Sequence, residues 1–172
     1  MKHPVLAPKT GASFNRGSSN QEYGTPPEVI AAVEKRFGRI VFDLAASQDN
    51  AVCGTFWSKE DNALEQNWGK LLPTGNLWLN PPYAEIGPWA MRAAGCWQRR
   101  GFLFLLVPYS ADSNWWQKNV EEHAYSVAMS PRIKFVTCDQ GYPKPIALCI
   151  YGYGIVGTGP QWRWDGKGKE ST

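Results

Sequence analysis

Asn80-Pro81-Pro82-Tyr83 follows directly on the apolar run Leu77-Trp78-Leu79. Asn-Pro and Pro-Pro dipeptides mark turns wherever they occur, so the plain reading is a turn. The composition of this turn allows more. The Asn80 amide oxygen can accept from an amino group, and Pro81 and Pro82 contribute carbonyls without a competing N–H of their own. Tyr83 adds an aromatic face on which a planar group can stack. Such parts suit a nucleophile that is an amino nitrogen conjugated to a ring or carbonyl, whose delocalised lone pair makes it sluggish. Two acceptors, the Asn80 oxygen and the Pro81 carbonyl, would hold its two hydrogens and favour a pyramidal nitrogen with a localised lone pair. That is transition-state stabilisation by fixed dipoles in a site that excludes water, and it requires no strong general base.

Other candidates carry open alternatives. Asp43 ends the apolar run Ile40-Val41-Phe42. It either caps a helix through Ala45, Ala46 and Ser47 or neutralises the amino group of a cofactor that approaches the backbone over those small residues. Asp61 either closes a cap with Ser58 or accepts from an adenine amino group. Gly152-Tyr153-Gly154-Ile155-Val156-Gly157 spells G-x-G-x-x-G, but no helical pattern follows it and no acid stands twenty residues on, so it is not a dinucleotide fingerprint. Cys53, Cys96, Cys138, Cys149, His3 and His123 fall in no ligand spacing, so no metal site is expected and the thiols read as buried and reduced. Trp89, Trp97 and Trp116 sit at helical spacing and read as core.

These residues need a frame. Thr25-Pro26-Pro27-Glu28 matches a capping box, with Val29, Ile30, Val33 and Phe37 on one helical face and Gly38 as the stop. Strands are expected at 40–43, 52–57, 77–79, 102–107, 125–129 and 146–151, and further helices near Pro88 and from Asp112 or Ser113 to about His123. Phe102 to Val107 is an unbroken apolar run, the pattern of a parallel strand buried on both faces. Alternating strands and helices argue for an α/β layer with a mostly parallel sheet, in which ligands sit beyond the carboxyl ends of the strands. Asp43 and Asn80 stand at two such ends.

At 172 residues the chain is expected to be one domain at 25–156, with a flexible arm at 1–24 and a tail at 157–172. No apolar run approaches the roughly 18 residues that span a bilayer, and no signal-peptide pattern opens the chain, so a cytoplasmic protein without membrane contact is expected. Net charge is +3, with six Lys/Arg against three acids in residues 1–40, six against nine in 41–130 and six against three in 131–172. Basic ends around an acidic middle suit an anionic partner docked beside a site that is not itself basic. Lys9, Arg16, Lys134 and Lys144 are candidate phosphate contacts.

The chain resembles the phage-type DNA N6-adenine methyltransferase (Dam) family. The likeness rests on Tyr23-Gly24-Thr25-Pro26-Pro27-Glu28, Phe42-Asp43-Leu44-Ala45-Ala46, Asp61-Asn62-Ala63-Leu64 with Trp68, Asn80-Pro81-Pro82-Tyr83 followed by Ile86-Gly87-Pro88-Trp89, Leu105-Leu106-Val107-Pro108, and Arg132-Ile133-Lys134-Phe135. It implies the S-adenosylmethionine-dependent methyltransferase fold: α/β, a mostly parallel twisted sheet with one antiparallel strand, helices on both faces. It further implies S-adenosylmethionine as cofactor and duplex DNA as partner, with the adenine swung out of the stack. Thr25, Pro26, Asp43 and Ala45 would then meet the methionine part of the cofactor, with Asn80 beside it, and Asp61 the adenine. Asn80, Pro81, Pro82 and Tyr83 would hold the target base, and Arg132 and Phe135 would line its pocket. Asp43-Leu44-Ala45-Ala46-Ser47 replaces the glycine-rich loop of larger relatives, and sequence choice is expected to come from loops, since the length leaves no room for a recognition domain. An N4-cytosine methyltransferase, a protein-glutamine amide methyltransferase and a catalytically silent DNA-binding module remain alternatives.

Overall fold

The computed structural model describes residues 23–71, 75–96, 101–136 and 142–167. In chain order the elements are α1 (Pro27–Phe37), β1 (Ile40–Asp43), α2 (Trp68–Leu71), β2 (Asn76–Leu79), α3 (Ile86–Ala94), β3 (Leu103–Pro108), α4 (Asn114–Trp116) running into a π-helical turn (Gln117–Glu121), β4 (Ala124–Ser130), β5 (Ile146–Tyr151), β6 (Gly157–Thr158) and β7 (Trp162–Arg163).

The strands form a sheet in the order β1-β2-β3-β5-β4-β6, with β7 also on β4. β1, β2 and β3 pair in parallel, β5 runs antiparallel to both β3 and β4, and β6 and β7 lie parallel to β4. Only β5 therefore runs against the rest, which is the expected sheet. Alternate residues of each central strand serve opposite faces. Leu103, Leu105 and Val107 meet α3, α4 and the π turn through Ile86, Ala90, Ala93, Trp116 and Val120. Phe104 and Leu106 face the other way and pack with Val29, Ile30 and Val33 of α1. Helices thus cover both faces, and every residue of β2, β3 and β5 is buried.

Local chemistry accounts for the departures from the sequence pattern. The capping box at Thr25 does not form: α1 is capped by Pro26, whose carbonyl accepts from Val29 (3.0 Å) and Ile30 (3.3 Å), with no side-chain cap bond. Gly38 ends the helix at φ 90°, a conformation that side chains disfavour. The strand expected at 52–57 shrinks to a single parallel bridge between Asp43 and Phe56. Its first residue is diverted, because the Val52 N–H donates to the Asp43 carboxylate at 3.1 Å. Ser58 to Asp61 makes a turn and no helix; α2 begins at Trp68. α3 starts at Ile86, ahead of Pro88, since a proline in the first turn has no N–H to lose. Part of the expected tail is strand, as β6 and β7 extend the sheet beyond β4.

One polar residue ties three elements together. Asn76, buried at the start of β2, donates to the carbonyls of Phe37 (2.9 Å) and Gly38 (3.0 Å) at the end of α1, while its Oδ1 accepts from the Phe102 N–H (3.0 Å) ahead of β3. Of the cysteines, Cys149 is buried, as expected, but Cys53 and Cys96 are half-buried; Cys138 lies outside the described residues. No helix among the described residues is long and apolar enough to cross a membrane.

Candidate active site

β1 and β2 run side by side in the same direction, with Asp43 paired to Trp78, so their carboxyl ends open on one edge of the sheet. A cleft of about 480 Å³ lies there. Its wall includes Thr25, Asp43, Ala45, Asn80 and Pro82 among the expected residues, together with Tyr23, Asn50, Asn62, Trp78 and Trp89.

Asp43 is 2% exposed. It caps no helix: its Oδ1 accepts from the Ala45 N–H (3.3 Å) and its Oδ2 from the Val52 N–H (3.1 Å), folding the 43–52 loop around the carboxylate. Burial pushes its pKa up from 3.8 to about 6, and the two backbone N–H groups offset part of that rise. No cation of the protein pairs with it among the described residues, where one ion pair, Arg163 with Asp165, is found. An acid buried without a cation at the mouth of a cleft is suited to a positively charged ligand.

Asn80 is held from three sides. Its Nδ2 donates to the Tyr23 carbonyl (2.7 Å) and the Thr25 hydroxyl (3.2 Å), and its Oδ1 accepts from the Tyr83 hydroxyl (3.0 Å). A carbonyl only accepts, so the amide nitrogen faces Tyr23 and the oxygen faces the opposite way. Burial, then the nearby Tyr142 and Tyr23 hydroxyls, raise the Tyr83 pKa well above 10, which keeps it a phenol able to donate.

The Tyr83 ring sits 5.7 Å from Tyr23, 6.1 Å from Phe135 and 5.3 Å from Tyr142, centroid to centroid. Phe135 is buried within this aromatic cluster. Arg132 is exposed, and its Nη1 donates to the Pro143 carbonyl at 3.2 Å, bracing the connection between β4 and β5. Pro26 and Pro81 are buried behind the wall, and Asp61 lies off it, its Oδ2 accepting from the Ser58 N–H (2.8 Å) and hydroxyl (2.9 Å). Asp61 thus closes a turn with Ser58 and caps no helix, while its neighbours Ser58, Lys59 and Glu60 line the cleft.

Sequence reasoning assigned no role to Tyr23 or Tyr142, and read Trp89 as core. Trp89 is half-buried on the cleft wall, beside Trp68 at 6.5 Å. Tyr142 adjoins a proline in an irregular segment, where no periodicity signals a contact. Trp116 is core as expected; Trp97, Lys9 and Arg16 lie outside the described residues. Among the described residues no cluster of His, Cys, Asp and Glu could hold a metal ion.

The DNA N-6-adenine-methyltransferase (Dam) family profile matches residues 13–145. The DNA N-6-adenine-methyltransferase of Escherichia phage T1 is 37% identical over 93 residues, which cover 54% of this chain and 38% of that relative. The Escherichia coli (strain K12) protein "Putative methyltransferase YfdM" is 36% identical over 70 residues, 40% of this chain and 72% of that protein. The chain thus spans well under half of the phage relative and most of the bacterial one. The matched stretch runs from before Tyr23 through Phe135 and Tyr142, across both the cleft and the aromatic cluster, and on that match the chain belongs to the DNA N-6-adenine-methyltransferase (Dam) family.

Proposed function

We propose that this chain transfers a methyl group from S-adenosylmethionine to the N6 amino group of adenine in duplex DNA, with the target base swung out of the helix. The observation that carries the reading is the Asn80 amide, oriented by Tyr23 and Thr25 so that its oxygen points away from them, on the wall of a cleft whose other strand end is the buried Asp43.

The cleft fits the cofactor in size and chemistry. Its 480 Å³ is within the roughly 300–1,000 Å³ of ligand sites. Asp43 supplies a desolvated carboxylate for the cationic amino-acid part, Ala45 lines the cleft with it, and the turn residues Ser58, Lys59 and Glu60 are left to meet the adenine. The indole N–H of Trp78, on the same wall, is buried without a hydrogen-bond partner among the described residues. Bound there, S-adenosylmethionine supplies an electrophilic methyl group.

The chain's own residues prepare the amine. Asn80 Oδ1 keeps one lone pair for the Tyr83 hydroxyl and offers the other to an N–H of the substrate. Held toward that fixed acceptor, the amine pyramidalises and its lone pair localises away from the ring. Extruding a base costs a few kcal/mol, and the aromatic faces of Tyr83 and its neighbours offset this by stacking. The released proton passes to water.

Incubating the protein with S-adenosylmethionine and unmodified duplex DNA, digesting the DNA and weighing the nucleosides should reveal N6-methyladenine. N4-methylcytosine in its place, methylation of a glutamine amide alone, or DNA binding without any transfer would each overturn the reading.

A further inference from the structure

The Thr25 hydroxyl has no duty in the helix it precedes. α1 takes Pro26 as its N-cap and makes no side-chain cap bond, yet Thr25 is 8% exposed and its hydroxyl needs a partner. That partner is Asn80, 55 residues further along the chain, whose Nδ2 lies 3.2 Å away. The second N–H of the same amide is spent on the Tyr23 carbonyl at 2.7 Å.

From this arrangement we infer that Thr25 is a positioning residue: the Tyr23 carbonyl sets the rotation of the Asn80 amide, and the Thr25 hydroxyl anchors its other N–H, so that an oxygen and not an NH₂ is held toward the incoming amine. The alternative rotation is costly on both sides. It would set Oδ1 against the Tyr23 carbonyl, two acceptors without a proton between them, and would turn the NH₂ toward an amino group, two donors face to face. With both N–H bonds occupied, the amide has one orientation before any substrate arrives, which is the condition for electrostatic preorganisation. The assignment departs from the role that family resemblance gives Thr25, contact with the cofactor, and it rests on the methyl-transfer reading above.

The two roles separate by experiment. In Thr25→Val, which keeps the shape and removes the hydroxyl, kcat for DNA methylation should fall about tenfold, the scale of one lost hydrogen bond, while the Kd for S-adenosylhomocysteine stays unchanged. Thr25→Ser should restore kcat, and Thr25→Ala serves as the deletion if valine disturbs the packing. A ¹⁵N-correlated NMR spectrum of the ligand-free protein supplies a readout independent of catalysis. The Asn80 side-chain NH₂ pair, identified by its absence in Asn80→Asp, should lose the downfield shift of one proton in Thr25→Val and regain it in Thr25→Ser. Weakened S-adenosylhomocysteine binding with kcat intact would make Thr25 a cofactor ligand and overturn the inference, as would an NH₂ pair that does not move. Absence of methyl transfer by the unaltered protein would instead sink the proposed activity, and the NMR comparison would still decide the amide's orientation.

Discussion

Truncating Asn80 to alanine leaves the cleft open and Asp43 untouched, so cofactor binding should survive while methyl transfer drops by two or more orders of magnitude, as when a preorganised dipole is removed. Binding of S-adenosylhomocysteine by calorimetry, set beside single-turnover methylation, checks both halves; near-normal turnover would remove Asn80 from the chemistry. Asp43 makes a pH-dependent prediction. Its folded-state pKa of about 6 lies above its ordinary 3.8, so the folded protein holds this proton more tightly than the unfolded chain. The cost of burying the charge is absent below pH 3.8 and complete above about pH 6, and stability from this group falls as pH rises through that window. The unfolding free energy of the unaltered protein, less that of Asp43→Asn, should decline by roughly 2 kcal/mol between pH 4 and pH 7. Urea titrations at the two pH values measure it, and a constant difference would show that the carboxyl is not titrating in this range. Asn80 and Asp43 were legible beforehand because each is a polar residue closing an apolar strand. Tyr23 and Tyr142 were not, because their contacts with Asn80 and Tyr83 cross 57 or more residues of chain; Tyr23 opens a family segment that gives it no role of its own, and Tyr142 sits in no pattern.

Elements were read most reliably where burial dictates the pattern. β3 and β5 are apolar throughout and sit in the middle of the sheet, so their sequences admit little else. Polar signals misled where two uses compete for one group. Thr25 and Glu28 have the spacing of a capping box, but Asn80 takes the threonine hydroxyl and proline serves as cap. Val52 begins an apolar-looking stretch, but its N–H is drawn to Asp43 before a strand can pair. Asn76 shows the same logic to the fold's benefit. Its side chain satisfies two carbonyls at the end of α1, groups with no partner inside the helix, and the N–H that leads into β3. Asn76→Ala strands all three, and should lower the unfolding free energy by roughly 2–4 kcal/mol. A urea midpoint shifted by less than the equivalent of about 1 kcal/mol would mean that water replaces the lost partners.

Over the whole molecule, the strand–helix alternation foretold a parallel sheet, and the single reversed strand followed from family likeness rather than from periodicity. The connection between β4 and β5 brings Phe135 and Tyr142 to Tyr83 and also carries Arg132, Lys134 and Lys144, all three exposed. Under the proposed function these exposed cations are the candidate phosphate contacts. Binding to duplex DNA should weaken steeply with salt, and Lys134→Ala should reduce the slope of log affinity against log salt by about one. Filter binding across salt concentrations tests this; an unchanged slope would move the DNA to another face.

The hydrogen bond from Asn80 to the Tyr23 carbonyl has a practical corollary for protein engineers. The tetrapeptide at 80–83 is not a portable cassette: transplanted onto a foreign sheet without the strap at 23–25, its amide would spin freely and present either end to a guest. Anyone borrowing this chemistry must carry both segments, and affinity tags or truncations are best kept clear of the strap.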